Sequence, residues 1–334
     1  MSDAAPTLAR LAEVRRGPAI ESVHHGVVAV ADASGAILHA WGDPALTTFP
    51  RSSLKPFQAL ALVESGGADA LTTEHLALAC ASHRAEPFQV AMVSDWLRRM
   101  ELPESALVCG PAWPMGEADH VAAIRAGDRR RVFHNCSGKH CGFLAASRAL
   151  GAPTAGYDSP DHPAQRHWLA AFSDFLGHDA AALPRGTDGC GLPALNLSVG
   201  DMARAAARFA AGAVPGARRA ATARRILGAI AEFPDHLSGR DAATSRVVRA
   251  MEGRVPLKQG AEGFVVAFVP ERGLGIAIKM ADGASRGKMA VLATLLGRLG
   301  LLAEDRVAAL VEAVEDPILD SNGQRAGQVV PTLN

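Results

Sequence analysis

The sequence predicts an α/β protein of the α+β type, with one antiparallel sheet built from strands at both ends of the chain. Alternating apolar residues and a turn predict a β-hairpin over 20–41, and a second hairpin over 263–280 has PERG at its turn. The chain between the hairpins is mostly helical in pattern and rich in alanine and arginine. We therefore expect a sheet flanked by helices and interrupted by a large helical insertion.

The order of these elements predicts how the chain is organised. We expect a single catalytic domain over 1–334, with a sheet lobe from 20–60 plus 260–334 and a mostly helical lobe from 60–260. A catalytic cleft should lie between the two lobes. Helical periodicity predicts helices at 72–81, 87–100, 143–150, 160–176, 202–211, 218–233, 285–299 and 304–314.

Composition excludes several classes of function. The 34 basic and 34 acidic residues leave no formal net charge, and there is a single tyrosine. A cationic surface and aromatic stacking platforms are therefore not expected, and the predicted partner is a small molecule rather than nucleic acid or membrane. Residues 1–6 lack the basic and apolar segments of a leader, and no apolar run is long enough to span a bilayer, so a cytoplasmic protein is predicted.

A Ser-x-x-Lys pair marks the start of the helix that follows the first hairpin. Ser52 and Lys55 are three residues apart, and Leu54 and Phe57 begin an apolar face, so both polar side chains should lie on one face of the helix. A partly desolvated lysine can take the proton of a serine nucleophile without a histidine. The alternative is an N-cap serine followed by a solvated lysine.

Four further loops contain more reactive residues than loops that only connect helices and strands, and are therefore candidate site loops: 82–86, 135–139, 188–193 and 279–283. Five cysteines, an odd number in a long chain, favour reduced thiols or metal ligands over disulfides. Cys136 and Cys190 lie in glycine-flanked turns typical of zinc ligands, but there is no Cys-x-x-Cys spacing, and buried thiols are the alternative. Residues 135–138 could bind an anion through backbone N–H groups or simply start a helix.

Taken together, these stretches resemble the Rhizobium-type L-asparaginases, also called the asparaginase II family. The matching strings occur in the family's order and span about residues 26–299: RSSLKPFQ (51–58), CASH (80–83), NCSGKH (135–140), DGCGLP (188–193) and IKMADG (278–283). The resemblance implies hydrolysis of L-asparagine to L-aspartate and ammonia. It also implies a fold similar to the serine β-lactamases and bacterial glutaminases, usually as a homodimer.

The resemblance implies catalytic roles for two Ser–Lys pairs. Ser52 is the expected nucleophile and Lys55 its base, and Ser82 with Lys279 forms the second pair. The chemistry would pass through an acyl-enzyme, with the oxyanion held by backbone N–H groups. Two lysines close together disfavour each other's protonation, so an alkaline pH optimum is expected.

The resemblance also implies a zinc ion beside the substrate, held by Cys136, Lys139 and Cys190. A lysine ligand must lose its proton, so metal affinity should fall as the pH drops. Two thiolates already neutralise the ion, so we expect it to position the substrate rather than activate the nucleophile. Cys141 replaces a small apolar residue common in the family, and its thiol could alter the coordination or simply pack.

Substrate-binding positions fall on Arg51, His140 and Asp188. Asp188 suits an α-ammonium group and Arg51 suits a carboxylate. The family usually has Gly-Glu where this chain has Ala85 and Glu86, a departure that could shift the loop carrying Ser82.

Two other readings of the same residues stay open. A glutaminase or penicillin-type amidase would keep the serine nucleophile and change the substrate. A non-catalytic zinc-thiolate binding protein would depend on Cys190 and be insensitive to the replacement of Ser52.

Overall fold

The computed structural model describes residues 6–333 as a mixed α/β structure. The strands are β1 (Ala9–Arg16), β2 (Ala19–Asp32), β3 (Ile37–Trp41), β4 (Thr47–Thr48), β5 (Arg185–Thr187), β6 (Pro193–Leu195), β7 (Leu197–Ser198), β8 (Leu257–Gln259), β9 (Phe264–Val269), β10 (Leu274–Met280), β11 (Ile318–Leu319) and β12 (Arg325–Pro331). The helices are α1 (Lys55–Glu64), α2 (Thr73–Ala79), α3 (Pro87–Arg99), α4 (Glu117–Ala126), α5 (Ser137–Ala149), α6 (Pro163–Leu176), α7 (Val199–Ala211), α8 (Ala217–Glu232), α9 (Pro234–Ser238), α10 (Ala243–Ala250), α11 (Lys288–Arg298) and α12 (Glu304–Val314).

The chain divides into two compact units, each described here by itself. The sheet unit comprises Met1–Ser53, Leu197–Ala211 and Ala242–Asn334. The helical unit comprises Leu54–Asn196 and Gly212–Asp241. In residues 6–333, no helix combines the length and apolar character needed to cross a membrane.

The sheet unit contains an eight-stranded sheet in the order β11-β12-β1-β2-β10-β9-β8, with β3 also paired to β2. All these pairs are antiparallel, which confirms the predicted sheet class. The β2–β3 and β9–β10 pairs confirm the two predicted hairpins. Strand β2 pairs with β10, with Ala29 opposite Ala277, so both ends of the chain build one sheet.

Strand β1 was not predicted, because its charged residues read as a polar start. Glu13 is nevertheless buried, with ion pairs to Arg10 and Arg15. These partners offset the cost of placing a carboxylate in the sheet. Strands β11 and β12 were also missed. Strand β11 is a short edge strand of two residues, and β12 is only half-buried. Neither has a clear alternation of apolar and polar residues.

Both faces of the sheet are covered near β10, whose seven residues are all buried. Helix α7 packs on one face and α11 on the other. A Cβ atom at Gly275 would lie 2.2 Å from the Ala203 carbonyl oxygen, so only glycine lets α7 approach this closely. Continuous burial makes β10 a rigid support for Lys279 near its end.

In the helical unit, the predicted helices are confirmed to within a few residues, except at α5. This helix begins at Ser137, not at Phe143, so Lys139, His140 and Cys141 are helical. Polar residues and two glycines made this stretch resemble a loop. Their side chains have partners inside the unit, which lets them be buried in a helix. Helix α4 was not predicted. Only its Ala123 is buried, so no apolar stripe marks it.

Candidate active site

The segment with Ser52 forms a 3-10 turn, Arg51–Leu54, which leads into α1. Ser52 is half-buried, and Arg51 has φ +53°, in the left-handed region that costs a non-glycine residue about 1 kcal/mol. Strained backbone of this kind is common at functional sites. The boundary between the two units falls after Ser53, so the pairing of Ser52 with Lys55 stays a prediction.

Lys55, the first residue of α1, is completely buried. Its Nζ donates to the Ala81 carbonyl oxygen and lies 3.0 Å from Ser82 Oγ. The Ser82 N–H in turn donates to the Leu237 carbonyl oxygen at 3.0 Å, which fixes the loop after α2. The helical unit therefore brings Ser82 to Lys55. The expected partner of Ser82, Lys279, lies in the sheet unit, and the Ser82–Lys279 pair stays a prediction.

His83 ties the Ser82 loop to the start of α5. Its Nδ1 accepts the Ala85 N–H, and its Nε2 lies 2.7 Å from Ser137 Oγ, which donates to the Val132 carbonyl oxygen. Because the Ser137 hydroxyl proton goes to the Val132 carbonyl oxygen, Ser137 Oγ must accept from His83. His83 Nε2 therefore carries a proton and donates it to Ser137. Burial and then the positive charge of Lys55 lower the pKa of His83 to about 3, which keeps the ring neutral.

A second group of polar side chains, here called the thiol cluster, consists of Cys136, Lys139, Asp188 and Cys190. Lys139 Nζ lies 3.0 Å from Cys190 Sγ and 3.6 Å from Asp188 Oδ2. A turn places Cys190 here, since the Asp188 N–H donates to the Leu192 carbonyl oxygen at 2.8 Å. Helix α5 supplies Lys139, and Cys136 is the residue directly before its first turn.

The thiol cluster balances buried charges of both signs. The hydrogen bond with Cys190, opposed by burial, holds the pKa of Cys136 well below its usual value, and the same bond with burial raises the pKa of Cys190. The pair therefore holds one thiolate and one proton. Burial alone would lower the pKa of Lys139, but the negative charge of the Cys190–Cys136 pair and that of Asp188 raise it above its usual value.

The donor set of the thiol cluster fits a thiophilic metal. Two sulfur atoms and one amine converge in a buried place, and thiolates are the ligands that zinc prefers. Within residues 6–333, no group of three His, Cys, Asp or Glu side chains could hold a metal, and the amine beside the two thiols is that of Lys139. Cys141 is buried on the same helix, and burial raises the pKa of its thiol, which favours packing over coordination.

His140, one residue after Lys139, has a buried ring with one nitrogen still without a partner. The Tyr157 hydroxyl accepts the Val108 N–H and lies 2.6 Å from His140 Nδ1. The hydroxyl donates to Nδ1, so the proton of the ring is on Nε2, which has no hydrogen-bond partner in the described part of the chain. Burial, and then the charge of Lys139, lower the pKa of His140 well below its usual value. A neutral, unsatisfied donor of this kind suits a ligand oxygen.

In the sheet unit, Lys279 lies near the end of β10 and is 7% exposed. Its Nζ donates to the carbonyl oxygens of Glu262 at 2.5 Å and Met280 at 2.7 Å. Burial lowers the pKa of Lys279, although the charges of Glu262 and Asp282 oppose this. The amine is therefore easier to deprotonate than an exposed lysine.

The structure thus brings together two sets of the predicted residues. Lys55 and Ser82 form one set, and the thiol cluster forms the other. Sequence analysis missed three buried groups, Tyr157, Lys258 and Lys288. Their rarity in the sequence could have indicated them. The chain has a single tyrosine, and only five of its 34 basic residues are lysines.

A family model described as L-asparaginase II matches residues 12–331. No curated protein matches the chain in sequence.

Solved structures similar to this chain include Mglu and a β-lactamase. Mglu in its glutamate form is 17% identical with a TM-score of 0.47, and the match covers 84% of this chain and 62% of that chain. Mglu in its native form is 18% identical with a TM-score of 0.46, covering 84% and 66%. A β-lactamase from Mycobacterium bovis is 14% identical with a TM-score of 0.43, covering 82% and 94%. The chain therefore spans about six tenths of the length of the first of these structures.

Proposed function

We propose that this chain, which belongs to the L-asparaginase II family, hydrolyses L-asparagine to L-aspartate and ammonia. The family is one of amidohydrolases, and its model matches residues 12–331, nearly the whole chain. That match is the observation that carries the proposal. It also confirms the family that the five motifs indicated.

The proposed reaction begins at Ser52. Neutral Lys55 accepts the Ser52 hydroxyl proton while Oγ forms a bond to the side-chain amide carbon of asparagine. Backbone N–H groups of the motif loops stabilise the resulting oxyanion. The C–N bond then breaks, the leaving nitrogen takes a proton and departs as ammonia, and an aspartyl ester remains on Ser52. Water attacks this ester and releases L-aspartate.

Ser82 is proposed to carry protons between the lysines and the leaving nitrogen. The 3.0 Å separation of Lys55 Nζ and Ser82 Oγ supports a proton transfer between these groups. The low proton affinity of Lys279 supports its use as the second amine.

Substrate binding is proposed at Arg51, Asp188 and His140. Asp188 suits the α-ammonium group, Arg51 the α-carboxylate, and the free His140 Nε2 proton a substrate oxygen. Cys136, Lys139 and Cys190 would hold a zinc ion, which when bound would supply positive charge that orients the substrate. We also propose a cytoplasmic homodimer as the working form.

The test is ammonia release from L-asparagine by the wild type, Ser52→Ala and Lys55→Ala. We expect asparagine-specific release, with L-glutamine as the control substrate, and a loss of about a thousandfold or more in both variants. Ser65→Ala, at the other end of α1, is the matched control and should keep wild-type activity. Full activity in Ser52→Ala would eliminate the serine nucleophile, and faster release from glutamine would change the substrate to that amide.

A further inference from the structure

Every lysine of this protein is buried. The chain has five lysines among its 34 basic residues, and all five are at most 7% exposed: Lys55, Lys139, Lys258, Lys279 and Lys288. Lysine is ordinarily one of the most exposed residues. Arginine supplies all exposed cationic side chains here other than histidine.

Three of these lysines bind one turn of the sheet unit, residues 259–262, here called the lysine turn. Lys258 Nζ donates to the Gln259 carbonyl oxygen at 2.6 Å, and Lys288 Nζ donates to that of Gly260 at 3.3 Å. Lys279 Nζ donates to the carbonyl oxygen of Glu262 at 2.5 Å. Three buried amines therefore meet the carbonyl groups of a single four-residue segment.

The lysine turn also packs on the segment that carries Ser52. A Cβ atom at Gly260 would lie 2.2 Å from the Pro50 carbonyl oxygen and 2.9 Å from Ser53 Oγ, so only glycine permits the contact. Ser53 Oγ donates to the Lys258 carbonyl oxygen at 3.0 Å. A shift of Gly260 would therefore move the backbone on both sides of Ser52.

Lys288 is the member of this group whose position is hardest to explain by stability. It is the first residue of α11, where the helix dipole disfavours a positive charge. Glu315 approaches the same helix end, but its carboxylate accepts the Gly287 N–H at 3.0 Å and the Ala290 N–H at 3.2 Å. Burial, opposed by Glu315 and assisted by the charge of Lys279, lowers the pKa of Lys288 to about 8.

We propose that Lys288 is a positioning residue for Lys279, because it holds the lysine turn through Gly260 and so keeps the Glu262 carbonyl on the Lys279 amine. The charged groups around the two amines are Glu262 and Asp282 near Lys279, and Glu315 near Lys288. Asp282 in turn lies 2.6 Å from His24 Nδ1. The inference deepens the proposed function, on which its kinetic part rests.

The small number of lysines allows a direct test by NMR. Protein labelled with [13Cε]lysine should give five ε-carbon signals, each assigned by one Lys→Met variant and titrated from pH 6 to 11. In the wild type, Lys288 should titrate near pH 8, and the Lys279 signal should show a second step at the same pH. Independent single-step titrations of these two signals would overturn the proposal without any variant.

Two substitutions compare the loss of the Lys288 donor and charge with their retention. Lys288→Met removes both. The loss of the neighbouring positive charge outweighs the loss of a carbonyl acceptor, so the midpoint of Lys279 should rise by about half a pH unit or more. Lys288→Arg keeps a donor and a positive charge, so the midpoint should not rise. Arg286→Met removes an exposed charge two residues away and is the matched control, with no shift expected. Equal shifts in Lys288→Met and Arg286→Met would contradict the proposal.

Kinetics completes the test. Lys288→Met should lower kcat for L-asparagine about tenfold with KM changed less than twofold, and Lys288→Arg should recover at least a third of the wild-type kcat. A KM effect alone would assign Lys288 to substrate binding and overturn the positioning role. If the wild type releases no ammonia from L-asparagine, the proposed function fails, whereas the titrations still decide whether Lys288 acts on Lys279.

Discussion

The thiol cluster and the lysine turn each enclose buried lysines, yet they give the amine opposite properties. Lys139 is 3% exposed and Lys288 is 2% exposed. Lys139 faces thiols and the carboxylate of Asp188, and its pKa is raised. Lys288 meets a carbonyl oxygen and lies near a second amine, and its pKa is lowered to about 8.

This difference teaches that burial alone does not determine what a lysine can do. Burial disfavours the ammonium form in both places, but only formal negative charges are strong enough to reverse that effect. Carbonyl dipoles orient the amine but do not reverse the effect of burial on its pKa. The thiol cluster therefore favours a cation, which the proposed metal would have to deprotonate, whereas the lysine turn lowers the pKa of Lys279 and Lys288.

The largest expected effect comes from removing the Lys279 amine, one of the three that bind the lysine turn. Lys279→Met should lower kcat/KM for L-asparagine about a thousandfold, because a group that transfers protons in the reaction is lost. Steady-state kinetics measures this, with Arg286→Met as the control. Activity within tenfold of the wild type would show that the two regions do not differ in the proposed way.

The next effect should fall on substrate affinity and metal binding. Lys139→Met should raise KM by about tenfold or more and change kcat less than threefold, since the proposed metal positions substrate. Zinc bound per chain, measured by mass spectrometry of the metal, should fall in parallel. Chelation of the wild type should reproduce the effect and added zinc should reverse it. Complete loss of turnover on chelation would assign the metal to chemistry instead.

The pH dependence of stability provides a sharper contrast. The folded-state pKa of Lys288 lies below its unfolded value, so the folded state is penalised below about pH 8 and gains stability as the pH rises towards 10. The difference in unfolding free energy between the wild type and Lys288→Met should therefore change with pH. It should rise by about 2 kcal/mol in favour of the wild type between pH 7.5 and 9.5. Urea unfolding at each pH measures it.

Lys139 should behave in the opposite way. Its folded-state pKa is raised, so its contribution is complete below the unfolded pKa and is lost only as the pH rises through the folded pKa. The difference in unfolding free energy between the wild type and Lys139→Met, measured with a chelator present, should stay constant between pH 7.5 and 9.5. Parallel slopes in the two variants would contradict the comparison.

The smallest expected effect is on the backbone of the loop that follows Ser82. Ala85 has φ +59°, where the family usually has glycine. Ala85→Gly should therefore stabilise the protein by up to about 1 kcal/mol, and the control Ala145→Gly, inside right-handed α5, should destabilise it by a similar amount. Thermal unfolding of the two variants measures both. A less stable Ala85→Gly would mean that the loop does not store this strain.

Local patterns predicted the two hairpins, most helices and the motif residues. The apolar residues of β2 and β10 form runs that mark buried strands, and such runs are visible in the sequence without any long-range contact. The same patterns failed at β1 and at the first turns of α5. In β1 the buried Glu13 is paired with Arg10 and Arg15 of the same strand, so its charge concealed its burial. In α5 the partner that makes burial tolerable lies far along the chain, as Cys190 does for Lys139.

The sequence by itself determined the family, the antiparallel sheet class and the residue types available for chemistry. Tertiary structure alone decided which groups meet: Lys55 with Ser82, Lys139 with Cys190, and Lys288 with the turn that binds Lys279. The physical reason is that proton affinity depends on charges and dipoles within a few ångströms, and folding brings those groups from distant parts of the chain.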